Sequence, residues 1–328
     1  MFVSAIEKIL EDRCTPAVVR AIESGRGSPS TLWDSLADAG FLELLKSEEQ
    51  GGAGLRLPEL FPIIATLGRH AMPLPIAQSI AARALLAQHA ATPTGMITLA
   101  PACQRIDRRI VCPLTPFGML ADHVLADDEG SLLILPCAIA ERTPTGVPHS
   151  LNATLEWPDD TLTVRIAGQG VALQAFAAAI HAGLISGALF RIFEMTLQYA
   201  NDRTQFGKSI GKFQAIQHQI SVMAEHVASA SMAAEAAFQG DSTLPQLPPS
   251  AMAKARTGEA VVLVASIAHA VHGAIGVTEE YDLQLLTRRL HEWRLAHGSE
   301  DYWNVVVGRL VLASPLPLIT DFIRYTFA

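Results

Sequence analysis

Apolar residues in the first part of the chain recur at the spacing of an α-helix. Leu32 and Leu36 lie one helical turn apart, and similar steps continue from residue 1 to about residue 91. This period predicts amphipathic helices that each bury one apolar face. Thr31, with Asp34 three positions later, is predicted to cap the helix that carries Leu36. We therefore expect a small helical domain at the N-terminus.

The pattern changes between residues 92 and 168. Short apolar runs are separated there by proline, aspartate and glycine, which is typical of strands joined by turns. The runs cover residues 96–99, 110–112, 132–135 and 162–166. We expect them to form a compact β domain.

Helical spacing returns from residue 169 to residue 328. Four long alanine-rich segments are predicted as helices, at residues 171–201, 213–238, 250–272 and 283–293, and a last pair follows Glu300. A segment rich in proline and serine, residues 240–249, is predicted to be a surface loop. Long helices with short connections form an antiparallel bundle. The predicted fold is mainly α with a small β domain: an N-terminal helical domain (1–91), a middle β domain (92–168) and a C-terminal four-helix bundle (169–328).

Composition and charge narrow the class of protein. Half of the 328 residues are hydrophobic, which is enough for a large core, and the net charge is −8. An acidic chain without a basic stripe does not attract the phosphate backbone of nucleic acid. The apolar segment at 171–189 contains His181 and runs into Arg191. We therefore expect it to be a buried bundle helix and predict no membrane span.

The four cysteines do not indicate a metal site. Cys14, Cys103, Cys112 and Cys137 are scattered without the spacing of a metal site, so no metal is predicted. The charge at Glu7 interrupts the apolar run that a secretory signal needs. We therefore expect reduced thiols and a cytoplasmic protein.

A basic turn between two predicted helices carries the strongest chemical signal. Arg203 lies just after the long helix that follows residue 169, and Gln214 begins the next helix. An arginine fork beside a helix N-terminus can bind a diphosphate through charge-assisted hydrogen bonds and the helix dipole. The alternative is a plain turn in which Arg203 pairs with a surface carboxylate.

The residues around this turn, 199–214, read Tyr-Ala-Asn-Asp-Arg-Thr-Gln-Phe-Gly-Lys-Ser-Ile-Gly-Lys-Phe-Gln. This stretch resembles the signature of the acyl-CoA dehydrogenase flavoproteins. Residues 32–41 and 48–55 look like the N-terminal domain of that family, whose domain order is also helical, β and helical bundle. Compared with the family, the β domain of this chain is shortened.

The resemblance implies a set of FAD contacts. By their positions in the motif, Arg203, Gln205 and Gln214 would hold the pyrophosphate and the adenosine end of FAD, with Phe206 and Phe213 beside them. In the family these residues usually reach into the active site of a neighbouring subunit. FAD is therefore expected to be shared across a subunit interface.

A second family element is similar to residues 272–281. The family has a glycine-rich turn there that approaches the adenine end of the flavin, which implies contacts from His272, Gly273, Ala274 and Gly276. Glycine allows the backbone to come close to a ligand. This chain departs from the family at Ala270, where glutamine is common, and at Ala274, where glycine is common. The alternative is that the two glycines only end one helix and permit the turn into the next.

The expected catalytic base is missing. In the family a carboxylate removes the α-proton of the thioester while the β-hydrogen leaves as hydride to the flavin. His297 stands where the family usually has this glutamate, and the other family position offers only residues 177–179, all alanine. A histidine can accept a proton near neutral pH, but His297 can equally be a polar residue in a bundle turn. Glu194, Glu259 and Glu279 are available carboxylates, expected to be solvated or interface charges.

The middle domain shows a further departure. Relatives carry a loop resembling Thr-Glu-Pro-x-x-Gly-Ser-Asp beside the flavin ring, and residues 92–168 contain nothing like it. The resemblance therefore implies the shorter, non-catalytic subunit of a hetero-oligomeric acyl-CoA dehydrogenase, a dimer of dimers that acts on bulky acyl-CoA thioesters, including those with steroid side chains. The alternatives are a stand-alone homotetrameric flavoenzyme that uses His297 as base, and a scaffold that binds no ligand.

Overall fold

The computed structural model describes residues 2–87, 89, 92–161 and 163–327. Its helices are α1 (Phe2–Arg13), α2 (Pro16–Glu23), α3 (Ser30–Asp38), α4 (Leu57–Arg69), α5 (Ile76–Leu86), α6 (Gly170–Asp202), α7 (Gln214–Ala236), α8 (Leu247–His272), α9 (Leu283–Leu295), α10 (Glu300–Ala313) and α11 (Ile319–Phe327). Its strands are β1 (Ile97–Ala100), β2 (Gln104–Ile106), β3 (Arg109–Thr115), β4 (His123–Asp128), β5 (Ser131–Pro136), β6 (Glu141–Pro144), β7 (Ala153–Pro158), β8 (Val164–Ala167), β9 (Thr204–Gln205) and β10 (Lys208–Ser209). The predicted class, mainly α with a small β region, is confirmed.

The N-terminal helices bury the periodic leucines of the sequence pattern. Leu32 and Leu36 are both in the core, and α1 packs on α3 and α4. The predicted cap at Thr31 is wrong, because α3 already begins at Ser30, with Pro29 as the capping residue and no side-chain cap. Thr31 therefore lies inside the first turn, where its carbonyl oxygen accepts a hydrogen bond from the Ser35 hydroxyl at 2.7 Å.

The strands of the middle region form two sheets that share one core. One sheet has the order β1-β4-β5-β8, with β1 parallel to β4, and the other is antiparallel with the order β2-β3-β7-β6. Leu133 and Leu135 from the first sheet and Leu155 and Trp157 from the second belong to the same buried cluster. Alternate residues of the runs at 110–112 and 132–135 thus form the inner faces of a small sandwich, while Leu132 and Ile134 belong to the larger core that includes the helices.

The C-terminal helices pack around α6, which contacts α7, α8 and α9. The helix α4 also lies directly on α6, because glycines bring the two backbones together. A β-carbon at Gly187 would lie 1.8 Å from the carbonyl oxygen of Ala65, and one at Gly68 would lie 2.0 Å from that of Leu184. Any side chain at these two positions would force the helices apart.

Two bundle helices, α6 and α8, are long and apolar enough to span a membrane by length and composition. In α6, however, 83% of the most apolar window is buried inside the protein, and in α8 the share is 44%. The burial of α6 is that of a core helix in a bundle, whereas less than half of the α8 window is buried. The helix α8 begins at Leu247, so the predicted loop at 240–249 is too long at its end. The prolines at the start of α8 lie in its first turn, where a backbone N–H would have no partner within the helix, so its absence costs nothing.

The domain boundaries predicted near residues 91 and 168 stay predictions.

Candidate functional site

The basic turn after α6 is a short hairpin. Arg203 ends the helix in an extended conformation, and its N–H donates to the Tyr199 carbonyl oxygen at 2.9 Å. The strands β9 and β10 then pair, and Phe206 and Gly207 form the turn between them with φ of 51° and 79°. Two consecutive positive φ angles are the geometry of a type I′ turn, which suits a tight hairpin. This turn points the chain from α6 back toward α7.

A cavity of about 440 Å³ lies beside this hairpin. Its lining residues are Tyr199, Arg203, Gln205, Ile210 and residues 270–275. Arg203 is exposed, and within the described part of the chain no carboxylate lies close enough to pair with its guanidinium. The alternative of a surface ion pair at Arg203 is therefore not what the structure has. The cation remains available to an anionic ligand at the cavity.

The start of α7 supplies further donors on the same side. The helix begins at Gln214, which is exposed, and the preceding Phe213 gives it no side-chain cap. The first N–H groups of the helix are therefore open to a ligand or to water. Phe206 is 90% exposed and lies edge-on to Phe213, with ring centroids 6.2 Å apart. Lys208 Nζ lies 4.3 Å from the centre of the Phe213 ring.

The glycine turn after α8 forms the opposite wall of the cavity. Gly273 has φ 66° and ψ −145°, a region that only glycine adopts without strain. His272 is buried and stacks on Tyr199, with centroids 4.4 Å apart, and its Nδ1 lies 2.8 Å from the Ala268 carbonyl oxygen. Burial lowers the pKa of His272, so the ring is neutral at pH 7. Its neutral ring supports the wall but brings no charge to an anion.

The structure thus separates the nine predicted cofactor residues into three groups. Arg203, Gln205, His272, Gly273 and Ala274 line the cavity. Phe206 lies on the hairpin and Phe213 and Gln214 lie at the start of α7, outside the lining of the cavity. Gly276 is buried behind the turn, where a β-carbon would lie 3.1 Å from atoms of His272 and Leu283.

This arrangement fits the diphosphate and adenosine end of FAD. A diphosphate needs a cation with a planar fork, open N–H groups and a backbone that can approach closely. Arg203 and Gly273 line one cavity and meet the first and third of these needs. The start of α7, which follows the hairpin in the chain, offers open N–H groups. The assignment of individual residues to FAD stays a prediction.

His297 lies in a second place, the turn between α9 and α10. Its φ is 57°, and its ring meets that of His181 edge-on at 4.8 Å. Burial, followed by the neighbouring His181 and Lys254, holds the pKa of His297 well below its usual value. A histidine with so low a pKa is a poor proton acceptor.

A cavity of about 260 Å³ reaches His297 from the β region. Its lining residues are Leu99, Ala100, Pro101, Ala102, Pro113, Leu114, Thr115, Gln174, Leu295, His297, Gly298 and Tyr302, with no carboxylate among them. Residues 177–179, at the family's other base position, are buried in α6. Glu194 pairs with Arg69 at 2.9 Å and Glu259 with Arg256 at 3.3 Å, as charges on the surface do.

Two residues around His297 escaped the sequence analysis. Lys254 is fully buried and donates to the carbonyl oxygens of Arg294 at 2.7 Å and Gly298 at 3.0 Å. Burial lowers the pKa of Lys254 to about 7 and that of His181 to about 3. The signal that could have found Lys254 is a lysine with alanine on both sides in an otherwise apolar stretch of the helix. Such a residue is buried only when carbonyl groups or a counter-charge satisfy it.

Comparisons with known proteins agree with this geometry. The family models for the N-terminal and C-terminal domains of acyl-CoA dehydrogenase match residues 1–93 and 168–311. Acyl-CoA dehydrogenase IpdE2 of Mycolicibacterium smegmatis is 31% identical over 291 residues, which cover 87% of this chain and 90% of IpdE2.

Solved structures show the same fold. The ChsE4-ChsE5 complex from Mycobacterium tuberculosis contains a chain with a TM-score of 0.82 and 20% identity, covering 96% of this chain and 97% of that one. A variant of the Tcur3481-Tcur3483 steroid ACAD has a TM-score of 0.81 and 23% identity, covering 94% and 96%. The chain therefore belongs to the acyl-CoA dehydrogenase family of flavoproteins, and its cofactor is FAD.

Proposed function

We propose that this chain is the non-catalytic subunit of a hetero-oligomeric acyl-CoA dehydrogenase, arranged as a dimer of dimers in the cytoplasm. The assembly would carry out FAD-dependent α,β-desaturation of an acyl-CoA thioester. One observation carries the proposal: Arg203 and the Gly273 turn line one cavity, but the base position holds a buried histidine of low pKa and its cavity contains no carboxylate. A subunit of this kind contributes to cofactor binding and leaves proton removal to its partner.

The relatives support a paired assembly and a bulky substrate. The structurally similar ChsE4-ChsE5 protein is a complex of two different chains, and the Tcur3481-Tcur3483 protein is a steroid ACAD. We propose the same kind of partner for this chain, a homologous acyl-CoA dehydrogenase subunit with its own base. The proposed substrate class is a bulky acyl-CoA thioester such as one that carries a steroid-derived side chain.

Each residue at the corner has a separate task in this proposal. FAD held at this corner would supply the acceptor for the β-hydrogen of the thioester, which leaves as hydride. The Arg203 guanidinium neutralises the diphosphate, and the open N–H groups at the start of α7 donate to its oxygens. Gln205 donates from the hairpin, and Gly273 lets the backbone lie against the adenosine end. Tyr199, held by the stack with His272, gives that wall a fixed shape.

Purification with and without a partner tests the proposal. We expect the chain alone to contain little flavin and to show no turnover with acyl-CoA substrates. Co-expression with a homologous acyl-CoA dehydrogenase subunit should give a yellow hetero-oligomer with the flavin absorption band. A co-purified complex that contains no FAD would contradict the proposal, and so would turnover by the chain alone.

A stand-alone homotetrameric flavoenzyme is the second candidate, because the cavity of about 260 Å³ does reach His297. We expect His297→Asn to leave the turnover of the hetero-oligomer unchanged, since a histidine of low pKa is not the base. Asparagine suits this test because it tolerates the positive φ of the turn. A loss of about 100-fold or more in kcat, with unchanged FAD content and melting temperature, would make His297 the base and overturn this assignment.

A scaffold without ligand is the third candidate, and it has a simple readout. A ligand that binds only the folded state raises the melting temperature. We expect added FAD to raise the melting temperature of the co-expressed complex after its flavin has been removed. A scaffold would show no shift.

A further inference from the structure

Cys103 and Cys112 face each other across the hairpin of β2 and β3. Its register pairs Gln104 with Val111, and the turn between the strands has two residues. One further step along the same register places Cys103 opposite Cys112. Their side chains therefore lie on the same face of the sheet, because facing residues of paired strands do.

The spacing at this position suits a disulfide. Facing pairs in an antiparallel ladder alternate between hydrogen-bonded and non-hydrogen-bonded types. The pair Ile106 and Arg109 next to the two-residue turn is of the first type, so Cys103 and Cys112 form a pair of the second type. Such pairs have Cα atoms about 4.5 Å apart, within the range of about 4.4–6.8 Å that a disulfide spans. Both cysteines are free thiols.

The two thiols differ in exposure and in acidity. Cys112 is fully buried, while Cys103 is half-buried and can be reached from solvent. A hydrogen bond from the Cys112 thiol lowers the pKa of Cys103, and the same contact together with burial raises the pKa of Cys112. The exposed thiol is thus the better nucleophile, because the thiolate is the reactive form. The remaining cysteines, Cys14 and Cys137, are buried, and burial raises the pKa of each to about 12.

We propose that Cys103 and Cys112 form a peroxide-sensitive thiol pair, in which Cys103 reacts with a hydroperoxide and Cys112 resolves the product to an intramolecular disulfide. The proposal does not depend on the flavin or on the dehydrogenase reaction. It requires only the folded β region and a hydroperoxide as oxidant.

The chemistry has two balanced steps. The Cys103 thiolate attacks one oxygen of the hydroperoxide, the O–O bond breaks, and the leaving oxygen takes a proton to become an alcohol or water. Cys103 is now a sulfenic acid, oxidised by two electrons. The Cys112 sulfur then attacks the Cys103 sulfur, the S–S bond forms and the S–O bond breaks. The departing hydroxide and the Cys112 proton leave as water.

The pair lies at the rim of the cavity that reaches His297. Ala102, next to Cys103, and Pro113, next to Cys112, both line that cavity. The pairing of β2 with β3 extends to Gln104 and Val111, next to the two cysteines, and the register of β3 with β7 shifts after Cys112. A disulfide would lock the two strands together at this rim. Oxidation would therefore restrain the wall of the cavity.

Oxidation of the full chain followed by mass mapping tests the proposal. The folded protein is treated with hydrogen peroxide, its remaining thiols are blocked, and it is digested with trypsin and with a protease that cuts before aspartate. Trypsin cuts after Arg105 and Arg109, which separates the two cysteines, and the cut before Asp122 separates Cys112 from Cys137. We expect a Cys103–Cys112 cross-linked peptide, with Cys103 oxidised at least about tenfold faster than Cys14 or Cys137.

Single substitutions separate the roles of the two thiols. In Cys112→Ala, which keeps a small apolar side chain in the core, Cys103 should stop at the sulfenic acid and be trapped by dimedone. The control Cys137→Ala should form the same cross-link as the unchanged protein. Oxidation of Cys103 at the rate of the buried cysteines would overturn the proposal. A cross-link to Cys137 in place of Cys112, or no cross-link in any variant, would overturn it equally.

Discussion

Replacing Arg203 with alanine is expected to weaken FAD binding by the hetero-oligomer about 10- to 100-fold. Among the described residues, Arg203 has the one charged side chain that lines the cavity of about 440 Å³, and a hydrogen bond to a charged group contributes about 1.5–3 kcal/mol. The measurement is a titration of the flavin-free complex with FAD, followed by flavin fluorescence. Because the contact is ionic and Arg203 is exposed, the difference between the two proteins should shrink at high salt.

Two further variants give this experiment its controls. Arg203→Lys keeps the charge but loses the planar fork of the guanidinium. Its affinity for FAD should therefore lie between that of Arg203→Ala and that of the unchanged protein. Arg13→Ala removes an exposed arginine that pairs with Asp12 on α1, away from the cavity, and should leave the affinity unchanged. Equal affinities of Arg203→Ala and the unchanged protein would mean that no phosphate lies at this corner. In that case the assignment of Gln205 and Gly273 would also fail.

Replacing Glu23 with glutamine is expected to lower the free energy of unfolding by about 3 kcal/mol. Glu23 is buried at the end of α2 and bridges Arg288 and Arg289 of α9, and the side chain of Arg289 is 2% exposed. Removing one partner of a buried ion pair costs about 3–5 kcal/mol, because the other charge is left in a poor solvent. Arg289 keeps Glu292 at 3.2 Å, which places the expected loss at the lower end of that range.

Urea unfolding measures this loss as a shift of the midpoint at unchanged slope. The matched control is Asp12→Asn, which removes an exposed pair with Arg13 and should change the unfolding free energy by less than about 0.5 kcal/mol. An equally small change for Glu23→Gln would show that the bridge between α2 and α9 adds no stability. The prediction matters for function because α9 leads into the turn that carries His297.

Much of the candidate site could be predicted from the sequence, because its residues cluster in two short segments. Arg203 and Gln205 lie in one segment and Gly273 in the other. Each segment joins two helices that the spacing of apolar residues in the sequence predicts. Helices that pack side by side in a bundle bring their ends together. The cavity between the two segments is therefore the expected result of the bundle itself.

The role of Gly276 and the state of His297 could not be predicted in this way. Gly276 is in the motif by position, but the structure packs it behind the turn against Leu283. The imidazole of His297 could have been a base near neutral pH had it been solvated. Its surroundings come from α6 and α8, which are far away in the chain, and burial among them removes its basicity.

The sequence by itself determined the order of helical and β regions and the family, and it predicted which residues form the FAD corner, because periodicity and short motifs are local properties of the chain. Only the tertiary structure decided which thiols face each other, that Lys254 is buried beside His297, and that Arg203 is free of any carboxylate within the described residues. The physical reason is that burial and charge pairing arise between segments far apart in sequence, and that the geometry of the turn sets which residues face each other in the hairpin of β2 and β3. Desolvation at those contacts then sets which groups can carry charge or react.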